Sequence, residues 1–226
     1  MVCKKTACLN VLLGLFLTFT GTALAGNGAD LIKAVMHQDL DKAKELVKSG
    51  ADVNHQDETY GSTPLILSCQ YELIDLAKFL IEAGADVNLQ AKNGYTPLIA
   101  AAGVSEELTG LLLSKGADLN LKCANGTGAF TTSVVGVLSQ RVTTDVVKKI
   151  LDKGADINES AENGATEGYT VLMMAARNKN PDLVKFLIKE GADVNLKAKD
   201  GNTALSLAKK VKDEKMVTLL KKSGAK

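Results

Sequence analysis

Few side chains in this 226-residue chain could do chemistry. His37 and His55 are its only two imidazoles. A metal site needs several ligands at fixed spacing, and neither histidine has a second ligand placed that way, so no metal is expected. A nucleophilic triad needs an imidazole beside the nucleophile. No histidine follows residue 55, so the body of the chain offers none. No glycine-rich run has the spacing that cradles phosphates. Of the cysteines, Cys69 and Cys123 lie beyond the N-terminal apolar stretch, and only Cys123 is a candidate for thiol chemistry, which requires the thiolate. These residues point to no catalytic group and no cofactor. What remains is binding surface, and the four tyrosines, Tyr60, Tyr71, Tyr95 and Tyr169, stand out in it. A tyrosine brings a large contact area on few rotors, which favours it at binding hot spots.

The elements that position these residues recur along the chain. "GADVN" stands at 50–54, 84–88 and 191–195, with "GADLN" at 116–120, "GADIN" at 154–158 and a clipped "GA" at 224–225. The steps between the glycines are 34, 32, 38, 37 and 33 residues. "STPLI", "YTPLI", "YTVLM" and "NTALS" keep the same rhythm. A period near 33 is the signature of a stacked-repeat solenoid.

The spelling of one unit follows from local physics. Thr63 can cap a helix through its hydroxyl, and Pro64 suits the first helical position, where its missing N–H would be unpaired anyway. Ile74, Leu76, Ala77, Leu80 and Ile81 give a second helix an apolar face. Gly84 falls where a helix stops in the left-handed region. Asp86 and Asn88 form turns, and "KNG" (92–94) and "KDG" (199–201) read as hairpin tips. Each unit is therefore helix, turn, helix and a protruding β-finger.

These landmarks resemble the ankyrin repeat, above all "GYTVLMMAARNKNPDLVKFLIKEGADVN" at 168–195. The resemblance implies an all-α-type repeat solenoid over residues 26–226, an array of helix-turn-helix units with β-hairpin fingers. Its approximate repeats are 29–56, 57–90, 91–122, 123–160, 161–197 and 198–226. One slot departs: the histidine usual after Thr-Pro-Leu is Ile66, Ile99, Thr131, Met173 and Ser206 here, so its hydrogen bond across the turn is lost.

Both ends read as caps. Sliding the first unit onto the second puts Lys42 at Leu76 and Glu45 at Phe79. Sliding the last unit puts Lys209 at Cys69 and Lys221 at Ile81, while Met216 and Leu219 keep the other two columns apolar. The Leu76 and Phe79 columns are thus expected to face the preceding repeat, and the Cys69 and Ile81 columns the following one. This makes six repeats including two polar-faced caps, as a soluble array requires. Cys69 aligns with Ala102 and Ala176 and reads as a small core residue. Cys123 aligns with Ala91 and Ala198 on a finger, and a disulfide between the two is not expected. The fourth unit carries two insertions. The one within 131–144 reads as drift or local repacking. The one in the finger, 159–167, reads equally as drift or as a widened binding feature.

In ankyrin arrays, as the resemblance implies, partners bind the concave side made by finger tips and first helices. Carried over by position, that side holds Thr59, Tyr60, Ser62, Gln70 and Tyr71, then Lys92, Asn93, Tyr95, Gly103 and Val104. Asn125 and Thr127 follow, then Glu167, Tyr169, Arg177 and Asn178. Tyr60, Tyr95 and Tyr169 are expected to line one edge with hydroxyls reaching outward.

Lys4 and Lys5, the uncharged "LNVLLGLFLTFTGTALA" and Ala23-Leu24-Ala25 read as a signal peptide over 1–25 with cleavage before Gly26. The product is expected to be periplasmic or secreted, a monomer, and without a membrane segment once cleaved. Beyond residue 25 the chain has 25 basic and 26 acidic residues. That balance argues against a nucleic-acid-binding surface, which needs a concentrated positive field. The expected function is a non-enzymatic protein-protein interaction module with an inhibitory, protective or scaffold role. Two alternatives are a thiol-dependent redox or stress protein using Cys123 and a secreted effector acting on another cell.

Overall fold

The computed structural model describes residues 27–160, 162 and 167–226. The expected signal peptide and most of the finger insertion lie outside them. Six helix pairs follow one another: α1 (Asn27–Met36) with α2 (Leu40–Lys48), α3 (Pro64–Gln70) with α4 (Ile74–Glu82), and α5 (Pro97–Ala102) with α6 (Glu106–Ser114). Then come α7 (Ala129–Leu138) with α8 (Thr144–Asp152), α9 (Val171–Arg177) with α10 (Pro181–Lys189), and α11 (Ala204–Lys210) with α12 (Glu214–Lys222). First helices stack on first helices throughout, and α2, α4, α6 and α8 stack in turn on one another, so one apolar core runs the length of the solenoid. No described helix is long and apolar enough to cross a membrane.

The caps form as the residue types dictate. Thr63, Thr96, Thr170 and Thr203 each accept the backbone N–H three residues on, at 3.1, 3.1, 3.4 and 3.1 Å. The slot without its family histidine is filled by packing: Ile66, Ile99 and Met173 are buried there. Thr131 instead donates to Glu159, and Ser206 completes a capping box with Thr203. Gly84 adopts φ +93°, and the other "GA" glycines match it. The turn formers also staple neighbouring repeats. Asn54 accepts the N–H of Asp86 at 2.8 Å, and Asn88 that of Asp118 at 2.8 Å. Asn158 and Asn195 repeat the bond to Asp193 and Lys226.

The fingers are tighter than a β-ladder. Two backbone bonds close each tip: Ala91 N–H donates to Tyr95 O and Gly94 N–H to Ala91 O, both at 2.9 Å, and Cys123 N–H to Thr127 O at 2.9 Å and Gly126 N–H to Cys123 O at 2.8 Å repeat the pair. Adjacent fingers are joined by Lys92 N–H to Tyr60 O at 2.9 Å and Ala124 N–H to Asn93 O at 2.8 Å. Among the described residues the only strand-type pairing is the isolated bridge between Ser160 and Thr170. The arms are too short to add a second rung, so the expected hairpins are present as turns.

The end columns face as expected. Lys44 of the first repeat lies over the Phe79 ring, 5.9 Å from its centroid, so Phe79 looks back toward the preceding repeat. Lys42, Glu45, Lys209 and Lys221 are exposed, while Leu76 and Met216 are buried.

The insertion in the fourth repeat is a brace. α7 has 10 residues where α5 has 6, and its extra turn lies over the short α5–α6 connection. A Cβ on Gly136 would come within 2.7 Å of the Gly103 carbonyl oxygen. Beyond it, Arg141 reaches Glu72, two repeats away, at 3.1 Å. Thr143 N–H donates to Glu106 at 3.1 Å. The α5–α6 connection also lacks the left-handed residue that the five other helix-helix turns place at Gln38, Glu72, Gln140, Lys179 and Lys212, with φ 55–58°. A side chain in that region costs about 1–2 kcal/mol of backbone strain, which glycine avoids. Gln38→Gly together with Gln140→Gly is therefore expected to raise stability by roughly 1 kcal/mol, after the greater chain entropy of unfolded glycine is deducted. An unchanged or lower urea midpoint would show that both turns are unstrained.

Candidate protein-binding surface

Three elements converge on one hollow. The "DETYGS" finger (57–62) is held by a single carboxylate: Asp57 accepts the N–H groups of Thr59 at 2.9 Å, Tyr60 at 2.8 Å and Ser62 at 2.6 Å. Partial burial pushes the Asp57 carboxyl up, but the three donors outweigh it and hold it below its ordinary value, so it is a fixed negative charge. The next finger brings Ala91, Asn93 and Tyr95, and the first helices bring Ile32, Met36, Leu67, Gln70 and Tyr71. Together they enclose a cavity of about 520 Å³ on the concave side of the first three repeats.

This cavity unites seven of the residues singled out from the sequence: Thr59, Tyr60, Ser62, Gln70, Tyr71, Asn93 and Tyr95. Lys92 stands at its edge, with its Nζ on the Glu58 carbonyl. The remainder are spread further along the array. Asn125 accepts the Thr127 N–H at 3.0 Å and shapes its own finger tip. Glu167 pairs with Lys199 at 2.8 Å. Arg177 is exposed, and Asn178 donates to the Met174 carbonyl of its own helix. Gly103 is buried under α7, with Thr132 and Gly136 against it, so it offers a partner nothing.

The expected row of tyrosines needs correction. Tyr60 is 72% exposed, but Tyr169 is only 8% exposed. Its hydroxyl donates to Asp200 at 3.0 Å and accepts from Asn202 at 2.9 Å. Asn202 in turn accepts from Lys210 at 2.6 Å. Tyr169 thus ties the fifth finger to the sixth and is structural. Tyr95 is intermediate: desolvation first, then the nearby Cys123 and Cys69, raise its hydroxyl above the ordinary value.

Sequence reasoning passed over Met36, Glu58 and Val135. Met36 and Val135 occupy the column of Gln70 when the repeats are superposed, so the register already carried the signal. Met36, Tyr60, Tyr71 and Val135 are the exposed large hydrophobic residues among those described, and the first three line the hollow. Exposed apolar groups gathered on one face mark an interaction surface.

The cysteines do not support thiol chemistry. Burial pushes the Cys69 thiol up to about 12 and raises Cys123 as well. Neither is in a disulfide.

Comparison with known proteins agrees with this architecture. The model of the family described as ankyrin repeats matches residues 31–123 and 137–226, in 3 copies. A human 2-5A-dependent ribonuclease is 39% identical over 72 residues, which is 32% of this chain. The chain spans only 10% of that relative's length. Repeat period, capping threonines, left-handed glycines and the family match converge: the chain belongs to the ankyrin repeat family, whose arrays serve as protein-interaction modules.

Proposed function

We propose that this chain is an exported, non-enzymatic module that binds a protein partner through the concave hollow of its first three repeats. The gathering of three of the four exposed large hydrophobic residues, Met36, Tyr60 and Tyr71, at that hollow carries the reading. Export rests on Lys4, Lys5, the uncharged apolar stretch and Ala23-Leu24-Ala25, and it places the partner in the periplasm or outside the cell. An inhibitory, protective or scaffold role fits a surface that binds without chemistry. The thiol-dependent alternative is weakened, because a half-buried thiol with a raised pKa supplies little thiolate.

The test is Tyr60→Ala combined with Tyr71→Ala in the chain from Gly26. A hot spot contributes on the order of 2 kcal/mol or more, so affinity for the partner captured by the wild type should fall about 30-fold or more. Melting should not move, because both rings are exposed. Undiminished binding would place the interface elsewhere. Tyr169→Ala should behave oppositely and lower the melting point, as a buried, doubly bonded ring must. The intact mass of the product recovered outside the cytoplasm tests export, and a mass that includes residues 1–25 would overturn it.

A further inference from the structure

The near-neutral charge balance hides a strong separation along the array. Residues 27–122, the first three repeats, carry 14 acidic and 8 basic side chains. Residues 167–226, the last two repeats, carry 7 acidic and 13 basic. The concave side follows this polarity. At the hollow, Asp57 and Glu58 are the charged lining residues. At the other end, Arg177 and Lys210 hold the column of Gln70, and Lys179 and Lys212 hold that of Glu72. Equivalent φ values of 57°, 56° and 55° at Glu72, Lys179 and Lys212 confirm the second register. Like columns of adjacent repeats are neighbours in a solenoid, so these four exposed cations form one cluster. Among the described residues Arg177, Lys179 and Lys212 have no carboxylate partner, whereas Lys185 and Lys199 do.

We propose that the concave side recognises one segment of a protein partner that is itself bipolar. An apolar side chain flanked by Lys or Arg would occupy the hollow of the first three repeats. An acidic cluster of the same segment would lie over Arg177, Lys179, Lys210 and Lys212. Packed helices stand about 10 Å apart, so the three steps from the second repeat to the fifth span roughly 30 Å, or about nine residues of extended chain. Two complementary ends fix the register of the segment and reject partners of uniform charge. This inference rests on the concave reading above and adds the partner's chemistry to it.

The probes are three fluorescein-labelled peptides. The first carries Lys-Leu-Leu-Lys, a nine-residue Gly/Ser spacer and Glu-Glu-Asp-Glu. The second has the same composition with the charges interleaved. The third has the bipolar order with the spacer cut to two residues. Anisotropy at physiological salt should show the first bound at least tenfold more tightly than either of the others. Lys179→Glu with Lys212→Glu should abolish that advantage, and Arg177→Glu alone should reduce it. All three are exposed, and circular dichroism checks that the fold is kept. Equal affinity for the three peptides, or an advantage that survives the reversals, would overturn the proposal. If it fails while Tyr60→Ala with Tyr71→Ala still abolishes partner capture, the concave surface stands and only the bipolar chemistry falls.

Discussion

Gly136→Ala is expected to destabilise the array by roughly 2 kcal/mol, while Gly110→Ala is expected to stabilise it by about 0.5–1 kcal/mol. Both glycines lie inside helices, where alanine normally gains because it lowers the entropy of the unfolded chain and shields the backbone. Only the surroundings differ. A Cβ at Gly110 meets nothing within 4 Å. At Gly136 it meets the Gly103 oxygen at 2.7 Å, the Gly103 Cα at 2.8 Å and a Val142 methyl at 2.8 Å. Two of those three atoms are backbone, so relief requires α7 to lift off the α5–α6 turn. That movement would also pull on the Arg141–Glu72 bridge and the Thr143–Glu106 bond beyond it. Paired urea titrations decide the matter. If both variants gain stability, α7 is not clamped to the third repeat.

Asp57→Ala should cost roughly 2 kcal/mol near neutral pH, since one carboxylate satisfies three backbone N–H groups and bonds to charged acceptors are the stronger kind. It should also weaken partner binding, because the finger that presents Thr59 and Tyr60 loses its anchor. The pH dependence gives the sharper signature. The folded Asp57 carboxyl titrates below its ordinary value of 3.8. A depressed carboxyl contributes stability that is fully present above the unfolded value, about 3.9, and is lost as pH falls through the folded one. The gap between wild type and Asp57→Ala should therefore hold from neutral pH down to about 5 and close below about pH 4. A gap that persists undiminished at pH 2 would mean that the carboxylate charge is not what holds the finger.

Much of the candidate surface was legible because repeats convert sequence register into spatial rows. Once Gly50, Gly84 and their equivalents are aligned, Gln70 and Tyr71 identify two neighbouring columns, and the finger tips identify an edge. The same alignment yields Met36 and Val135 at once. Tyr95 and Tyr169 show where register runs out. They share a slot, yet Tyr169 is buried because the sixth repeat offers Asp200 and Asn202 to its hydroxyl, and Tyr95 has no such pair beside it.

By itself the sequence determined the repeat, its period, the capping threonines, the turn glycines and the polarity of the two end units. Each of these depends on interactions within about one repeat, where residue type and spacing suffice. Tertiary structure alone decided which tyrosines are surface and which are staple, and that Asp57, Tyr71 and Met36 enclose one hollow. It also turned the insertion of the fourth repeat into a clamp on the third. Those outcomes depend on which side chain a neighbouring repeat presents at contact distance. Packing resolves such choices within an ångström, and a difference of that size at Gly103 and Gly136 leaves no periodic trace in the chain.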